Sequence, residues 1–372
     1  MPKTKQKANV LANEIIDLFP KKGRVLLGTG GKSMIRELGL DAIKAVVLDV
    51  LSGRNLRDST EMLTRKRIAS LNAATFFMFL KGQSLSNDFI EQLTIKACNG
   101  LMGRHSKENR WLLQWILGLN DKAYQNILRD KPELLEDYSN RYKQVYEEVS
   151  SITESEYGNL SGEISLSGTY KANIDWPFII HLLGTIGAQT LAIRGSEKST
   201  YGKLFERLIL GSLLQILGFH LIDPDNPKKT KKVFWLSSRG ESRESDATAL
   251  FDAGKGIRFD IGFIGRGNPE ISLDKVSRFE RELDFGKSRW YMATVIIVDR
   301  IGLKSRIQEL AKRIDGTIIQ MSMAYWPKQV AQVLSQTVGL KHSLTDMPDS
   351  EISNYLKEKM NSVSIEEFIP NN

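Results

Sequence analysis

The sequence predicts an α/β fold in which a central mixed β-sheet flanked by helices follows a mainly α-helical N-terminal domain. Three observations carry this. Up to about residue 147, apolar residues recur at three- and four-residue spacing, the signature of amphipathic helices. Residues 148–172, VSSITESEYGNLSGEISLSGTYKAN, turn rich in Ser, Gly, Thr and Glu, the composition of a linker or long loop. From Ser196 onward, short β-rich runs alternate with helical ones, as in a sheet covered by helices. The expected division is a helical domain over 1–172, a sheet-containing core over 173–340 and a C-terminal extension over 341–372.

The helical half is carried by LDAIKAVVLDVLSG, RKRIASLNAATFFMFLKG and NRWLLQWILGLN. Ser59 and Thr60 precede the second as possible N-caps. Trp111 and Trp115 share one face of the third at i, i+4, which reads as a packing stripe before it reads as a base-stacking pair. A further helix, DWPFIIHLLGTIGAQTLAI, starts from Asp175, and YGKLFERLILGSLLQILGF is expected to start after the cap Ser199 and to end near Gly218.

The strands are KVFWLS, SDATALFDAG, GIRFDIGFIG and PEISLD, separated by AGKG and GRGN turns. The helix DKVSRFEREL follows. YMATVIIVD is a continuous apolar run of the kind buried on both faces. The helix SRIQELAKRI, the strand GTIIQMSM and the helix PKQVAQVLSQTV close the pattern, and SVSIEEFIPNN is the tail.

Composition narrows the function. The chain has 372 residues, 41% hydrophobic and 26% charged, ordinary for a globular protein. Its net charge of +8 suits a polyanionic partner such as nucleic acid, although many enzymes are as basic. With one cysteine, Cys98, there is no internal disulfide and no cysteine-built zinc site. His105, His181, His220 and His342 lack metal-ligand spacing and read as structural or surface residues. The N-terminus lacks a signal core and no run of ~18 uninterrupted apolar residues occurs, so no membrane association and a cytoplasmic location are expected.

Three acids have unusual surroundings. Asp260 lies in the apolar strand RFDIGFIG, and Glu270 opens the next strand after the GRGN turn. Two strands joined by a tight turn bring such carboxylates close enough to share a hard cation, and Mg2+ suits the arrangement because it keeps positions for water and phosphate oxygen. Glu206 sits in a helix apolar nearly all round, so it should be largely buried, and a buried acid must be paired or used. Asp246, in RESDA, precedes the Asp260 strand and reads as an ion-pair partner of Arg243 or Arg258 before it reads as an accessory ligand. The surrounding basic residues, Arg243, Arg266 and Arg278 among them, suit contacts to a phosphate backbone. In the helical half, Arg65, Lys66 and Arg67 of LTRKRIASLNAA are the DNA-facing expectation, against a plain surface role.

A helix with an embedded glutamate, then a β-meander carrying Asp, a turn and Glu-x-Lys, resembles the PD-(D/E)xK nucleases. Here it reads Glu206, Asp260 and Glu270-Ile271-Ser272, over roughly residues 196–330. The texture YGKLFE, RESDA and DIGFIGRGNPEISLDK is most similar to type II restriction endonucleases, and within them to the CfrBI-like group. The resemblance implies a restriction-endonuclease-like core, Mg2+ as cofactor, no nucleotide cofactor, double-stranded DNA as substrate, and a homodimer acting on a short interrupted or degenerate palindrome. It implies that Asp260 and Glu270 hold metal, that Glu206 completes the site, and that a lysine helps activate water. This chain departs at that lysine. Ser272 occupies its position, and Lys275, three residues on, is the expected substitute. Two other readings remain: a repair or junction-type nuclease of the same fold, and a non-catalytic DNA-binding module on a decayed nuclease fold.

Overall fold

The computed structural model describes residues 10–27, 35, 38–128, 131, 133–225, 229–237, 245–263, 291–299 and 316–369. The chain forms two compact units, one drawn from residues 1–37 and 63–197, the other from 38–62 and 198–372. In chain order the helices are α1 (Lys21–Leu27), α2 (Leu40–Leu51), α3 (Leu56–Leu85), α4 (Phe89–Leu101), α5 (Lys107–Ile116), α6 (Asp121–Leu128) and α7 (Glu133–Tyr157). A hairpin of β1 (Gly162–Leu166) and β2 (Tyr170–Ile174) leads into α8 (Trp176–Ile216). Both α3 and α8 contribute residues to each unit.

The first unit is helical around one apolar core that includes Phe79, Leu93, Leu112, Trp115 and Phe178. Phe79 meets Phe89 and Phe178 edge-on, each at 5.9 Å between centroids, the arrangement that ring quadrupoles favour. Trp111 and Trp115 are both buried in this core, as a packing stripe requires. Ser59 and Thr60 do not cap α3. The helix begins at Leu56, the Asn55 side chain accepts from the Arg57 N–H at 2.8 Å, and the Thr60 hydroxyl donates back to the Leu56 carbonyl within the helix.

Residues 148–172 are not a linker. Helix α7 runs to Tyr157, and β1 pairs antiparallel with β2 from Gly162↔Ile174 to Leu166↔Tyr170. Of the serines that suggested a loop, Ser150, Ser151 and Ser155 lie in α7, and Ser165 lies on the largely exposed strand β1, where polar side chains replace the expected alternation. Helix α8 is likewise one unbroken helix of 41 residues rather than two. Ser199 lies inside it and is not a cap. Its stretch Trp176–Ser196 is long and apolar enough to cross a membrane by length and composition alone. Phe178, Leu182, Ala188 and Ile193 instead line the core of the helical unit.

Among the described residues, the second unit is built on a six-stranded sheet in the order β3-β4-β5-β6-β7-β8. Its strands are β3 (His220–Leu221), β4 (Val233–Leu236), β5 (Ala247–Asp252), β6 (Lys255–Gly262), β7 (Tyr291–Val298) and β8 (Gly316–Gln320). Pairings β4–β5 and β5–β6 are antiparallel, and β3–β4, β6–β7 and β7–β8 are parallel, so the sheet is mixed. In β7, Val295 to Val298 are all fully buried, as expected of a strand covered on both faces.

Among the described residues, helices α9 (Trp326–Val338) and α10 (Asp349–Met360) join the sheet in this unit, with α2 and the C-terminal half of α8. The Trp326 indole donates to the Val50 carbonyl at 2.8 Å, fixing α9 on α2. Gly53 follows α2 at φ +88°, and a Cβ there would lie 2.8 Å from the backbone nitrogen of Ala324. Only glycine satisfies both demands. The residues after 340 pack against the core. Phe368 is 1% exposed and its ring lies over Gly211 of α8, where a Cβ would come within 2.6 Å of it.

Candidate metal and DNA-cleavage centre

The β5–β6 hairpin positions the central acid. Gly254, at φ +72°, makes the turn, and the register runs Leu250↔Gly256 to Ala247↔Phe259. On β6, Ile257, Phe259 and Ile261 are fully buried, and Asp260 among them is 1% exposed. On its other side Asp260 pairs with Ile296 of the buried β7. A carboxylate in such surroundings is costly unless positive charge or hydrogen bonds compensate it.

Asp246 lies one residue beyond β5, so one further step of the register sets it across from Asp260. Its carboxylate accepts the Ile261 N–H at 2.9 Å, and its backbone carbonyl accepts the Ser237 N–H at 3.2 Å. The side chain thus continues the β5–β6 ladder where the strand has ended. The Ile261 N–H is a described partner of the Asp246 carboxylate, and Arg243, one of the two ion-pair partners expected for it, lies outside the described residues.

Glu206 was expected to be largely buried, and the structure leaves it only partly so. It is half-buried, on a narrow polar strip of α8 with the half-buried Gly202 and Arg207 and the exposed Lys203. Phe205, Leu208, Ile209 and Leu210 around it are fully buried. The next residue, Arg207, ties α8 to two other segments. Its Nε donates to the Phe368 carbonyl at 3.0 Å and its Nη1 to the Ser237 carbonyl at the end of β4. Arg207 and Ser237 were not singled out by sequence as members of the site. A guanidinium on an otherwise buried helix was the available signal, since such a group must find acceptors.

Glu270, Ser272 and Lys275 lie outside the described residues, as do Arg243, Arg266 and Arg278. The structure therefore sets Asp246 beside the Asp260 position and leaves the expected Asp260–Glu270 pair untested. Among the described residues, no group of three or more acids, histidines or cysteines converges as a metal site. The donors in place are carboxylate oxygens, which suit a hard divalent cation.

Of the three basic residues expected to face DNA, Arg65 and Lys66 are exposed. Arg67 is not. It is 1% exposed, and its Nε donates to the Leu26 carbonyl at 2.9 Å. Three consecutive residues on a helix span about 200° of arc, so they cannot all share one solvent face.

A model of the CfrBI restriction endonuclease family matches residues 40–306. A curated relative, the type II restriction enzyme CfrBI of Citrobacter freundii, is 40% identical over 353 residues, covering 94% of this chain and 97% of its own. No solved structure matches. The molecule is thus of the type II restriction endonuclease class, an enzyme of sequence-specific DNA cleavage. Within that class, the chain belongs to the CfrBI restriction endonuclease family.

Proposed function

We propose that this enzyme cuts both strands of duplex DNA at a short symmetric sequence in a Mg2+-dependent reaction, as a two-fold homodimer whose protomers each cut one strand. The observation that carries the reading is Asp260, a carboxylate buried to 1% exposure on a central strand of the sheet. The net charge of +8 supports a polyanionic substrate.

In this PD-(D/E)xK-like site, Asp260 and Glu270 hold the cation. Glu206 orders the site from α8, and Ser272 with Lys275 orients the attacking water and offsets negative charge. When bound, the cation supplies Lewis-acid stabilisation of the phosphate undergoing attack. Residues 173–340 act as the nuclease core. Residues 1–172 supply recognition and dimer contacts, with Arg65 and Lys66 on phosphates, and residues 341–372 form the C-terminal segment. The enzyme works in the cytoplasm without a nucleotide cofactor.

The test is cleavage of plasmid DNA by the purified protein with Mg2+, with and without chelator. Discrete bands that vanish with chelator and in Asp260→Asn are the expected result. A smear, or bands unaffected by Asp260→Asn, would overturn the reading. Lys275→Ala is expected to lose cleavage more severely than Ser272→Ala. The opposite ranking removes Lys275 from its role.

A further inference from the structure

We infer that Arg207 is a positioning residue for the cleavage centre, acting on Asp260 through Ser237 and Asp246. The inference rests on the reading of Asp260 as a metal-holding residue. It adds what holds that residue in place.

The connection runs through consecutive contacts in one unit. The Arg207 Nη1 donates to the Ser237 carbonyl. The Ser237 N–H donates to the Asp246 carbonyl at 3.2 Å, and its hydroxyl donates to the Ser245 carbonyl. The Asp246 carboxylate takes the Ile261 N–H at 2.9 Å, and Ile261 is the residue after Asp260. The Ser245 and Thr248 hydroxyls add a contact at 3.1 Å at the same corner.

Each contact lies where ordinary strand pairing stops. Strand β4 ends at Leu236 and β5 begins at Ala247, the last pair of their ladder. Ser237 and Asp246 extend it by one further step. The β5–β6 ladder ends at Ala247↔Phe259, and the Asp246 side chain extends it past Asp260. The ends of β4 and β5 would otherwise be free to fray beside the buried acid, leaving β6 held there by β7 on its other side alone. Arg207 anchors this corner to a helix whose flanking residues, Phe205, Leu208 and Ile209, are fully buried. It simultaneously holds the Phe368 carbonyl at 3.0 Å. A planar guanidinium reaches both carbonyls at once in a fixed fork, whereas an ammonium has no such fork.

A positioning role and a merely structural one predict different things. Loss of fold lowers every activity in proportion to the unfolded fraction. Loss of positioning loosens Asp260 while DNA still binds. Outer contacts that orient metal-holding residues change metal affinity by about 10–100-fold. Misplacement by about 1 Å costs about 100-fold in rate.

The experiment compares the full-length enzyme with Arg207→Met, Arg207→Lys, Asp246→Asn and Asp260→Asn. Four quantities are read: thermal midpoint, DNA affinity by gel shift with Ca2+, single-turnover cleavage rate across Mg2+ concentrations, and Mn2+ affinity by electron paramagnetic resonance. Arg207→Met is expected to lower the saturating rate by about 100-fold and to weaken Mn2+ binding by about 10-fold. DNA affinity should stay within about 3-fold. Arg207→Lys, which keeps the charge, should restore part of the rate and covers the case in which the Met variant does not fold. Adding Asp246→Asn to the Arg207 variant should cost little more, because both act through one corner.

The inference is overturned if folded Arg207 variants keep wild-type Mn2+ affinity and saturating rate, or if their rate falls only with the folded fraction. Asp260→Asn separates the two failures. If it still cleaves, the reading of Asp260 fails. If it is inactive while the Arg207 variants behave as wild type, only the positioning inference fails.

Discussion

Lys66 and Arg67 are neighbours in sequence, of one charge, and should respond to mutation in opposite ways. Lys66 is exposed, and Arg67 is buried against the Leu26 carbonyl. A lysine on a phosphate releases about one counterion, so Lys66→Ala should leave stability within about 0.5 kcal/mol and reduce the slope of log K against log[salt] by about 1. Arg67→Ala orphans a buried carbonyl and leaves a cavity. It should lower stability by about 2–4 kcal/mol with no change in that slope. Urea unfolding and gel shifts across salt concentrations measure the two effects. An Arg67 variant of wild-type stability with a shallower slope would return Arg67 to the DNA-facing set. The sequence made all three basic residues look alike because composition reports charge, while the phase of the helix decides which charge reaches solvent. Asp260 was easier to read. Its apolar neighbours alternate on one short strand, so local pattern alone marked it as unusual.

Helix α8 shows what an element adds to its residues. Its continuity was hidden because the polar run around Ser199 resembles an N-terminus, and only packing on either side keeps the helix going. Two predictions belong to it. At Gly211 a Cβ would lie 2.6 Å from the Phe368 ring, so Gly211→Ala should cost about 1–3 kcal/mol through overpacking. Adding Phe368→Leu should recover part of this, as a double-mutant cycle in urea will show. If the alanine variant is as stable as wild type, the C-terminal segment does not pack there in solution. The second prediction concerns His181, whose ring centroid lies 4.6 Å from that of Tyr146. Burial pushes its pKa down to about 4, whereas an unfolded histidine titrates near 6.5. Between these values the unfolded chain binds the extra proton, so stability is full above about pH 6.5 and falls as pH drops toward 4. The loss should approach about 3 kcal/mol. Urea midpoints followed by the fluorescence of Trp111 and Trp115, in wild type and in His181→Gln, measure it. The variant should lose this part of the pH slope, and an unchanged slope would show that other groups carry it.

At the scale of the whole molecule, much of the sheet was legible and its surroundings were less so. Strands β4 to β7 announce themselves by short apolar runs between glycine turns. No periodicity encodes that the Trp326 indole would meet the Val50 carbonyl, 276 residues away, or that Phe368 would seat on Gly211. The partner of the whole chain follows from a count of another kind. A duplex has two antiparallel strands related by local two-fold axes, and this chain has one expected cleavage centre. A symmetric pair presents two such centres in the same relation as the strands. The enzyme should therefore sediment near twice its 42.0 kDa chain mass. At low concentration, its specific activity should fall as the dimer dissociates. Mixing wild type with an excess of Asp260→Asn, after conditions that exchange protomers, gives the sharper measurement. Mixed dimers hold one working centre, so nicked circles should accumulate in place of linear product. A protein that stays at one chain mass with DNA bound, keeps its specific activity on dilution and yields linear DNA undisturbed by the inactive variant would exclude the paired arrangement.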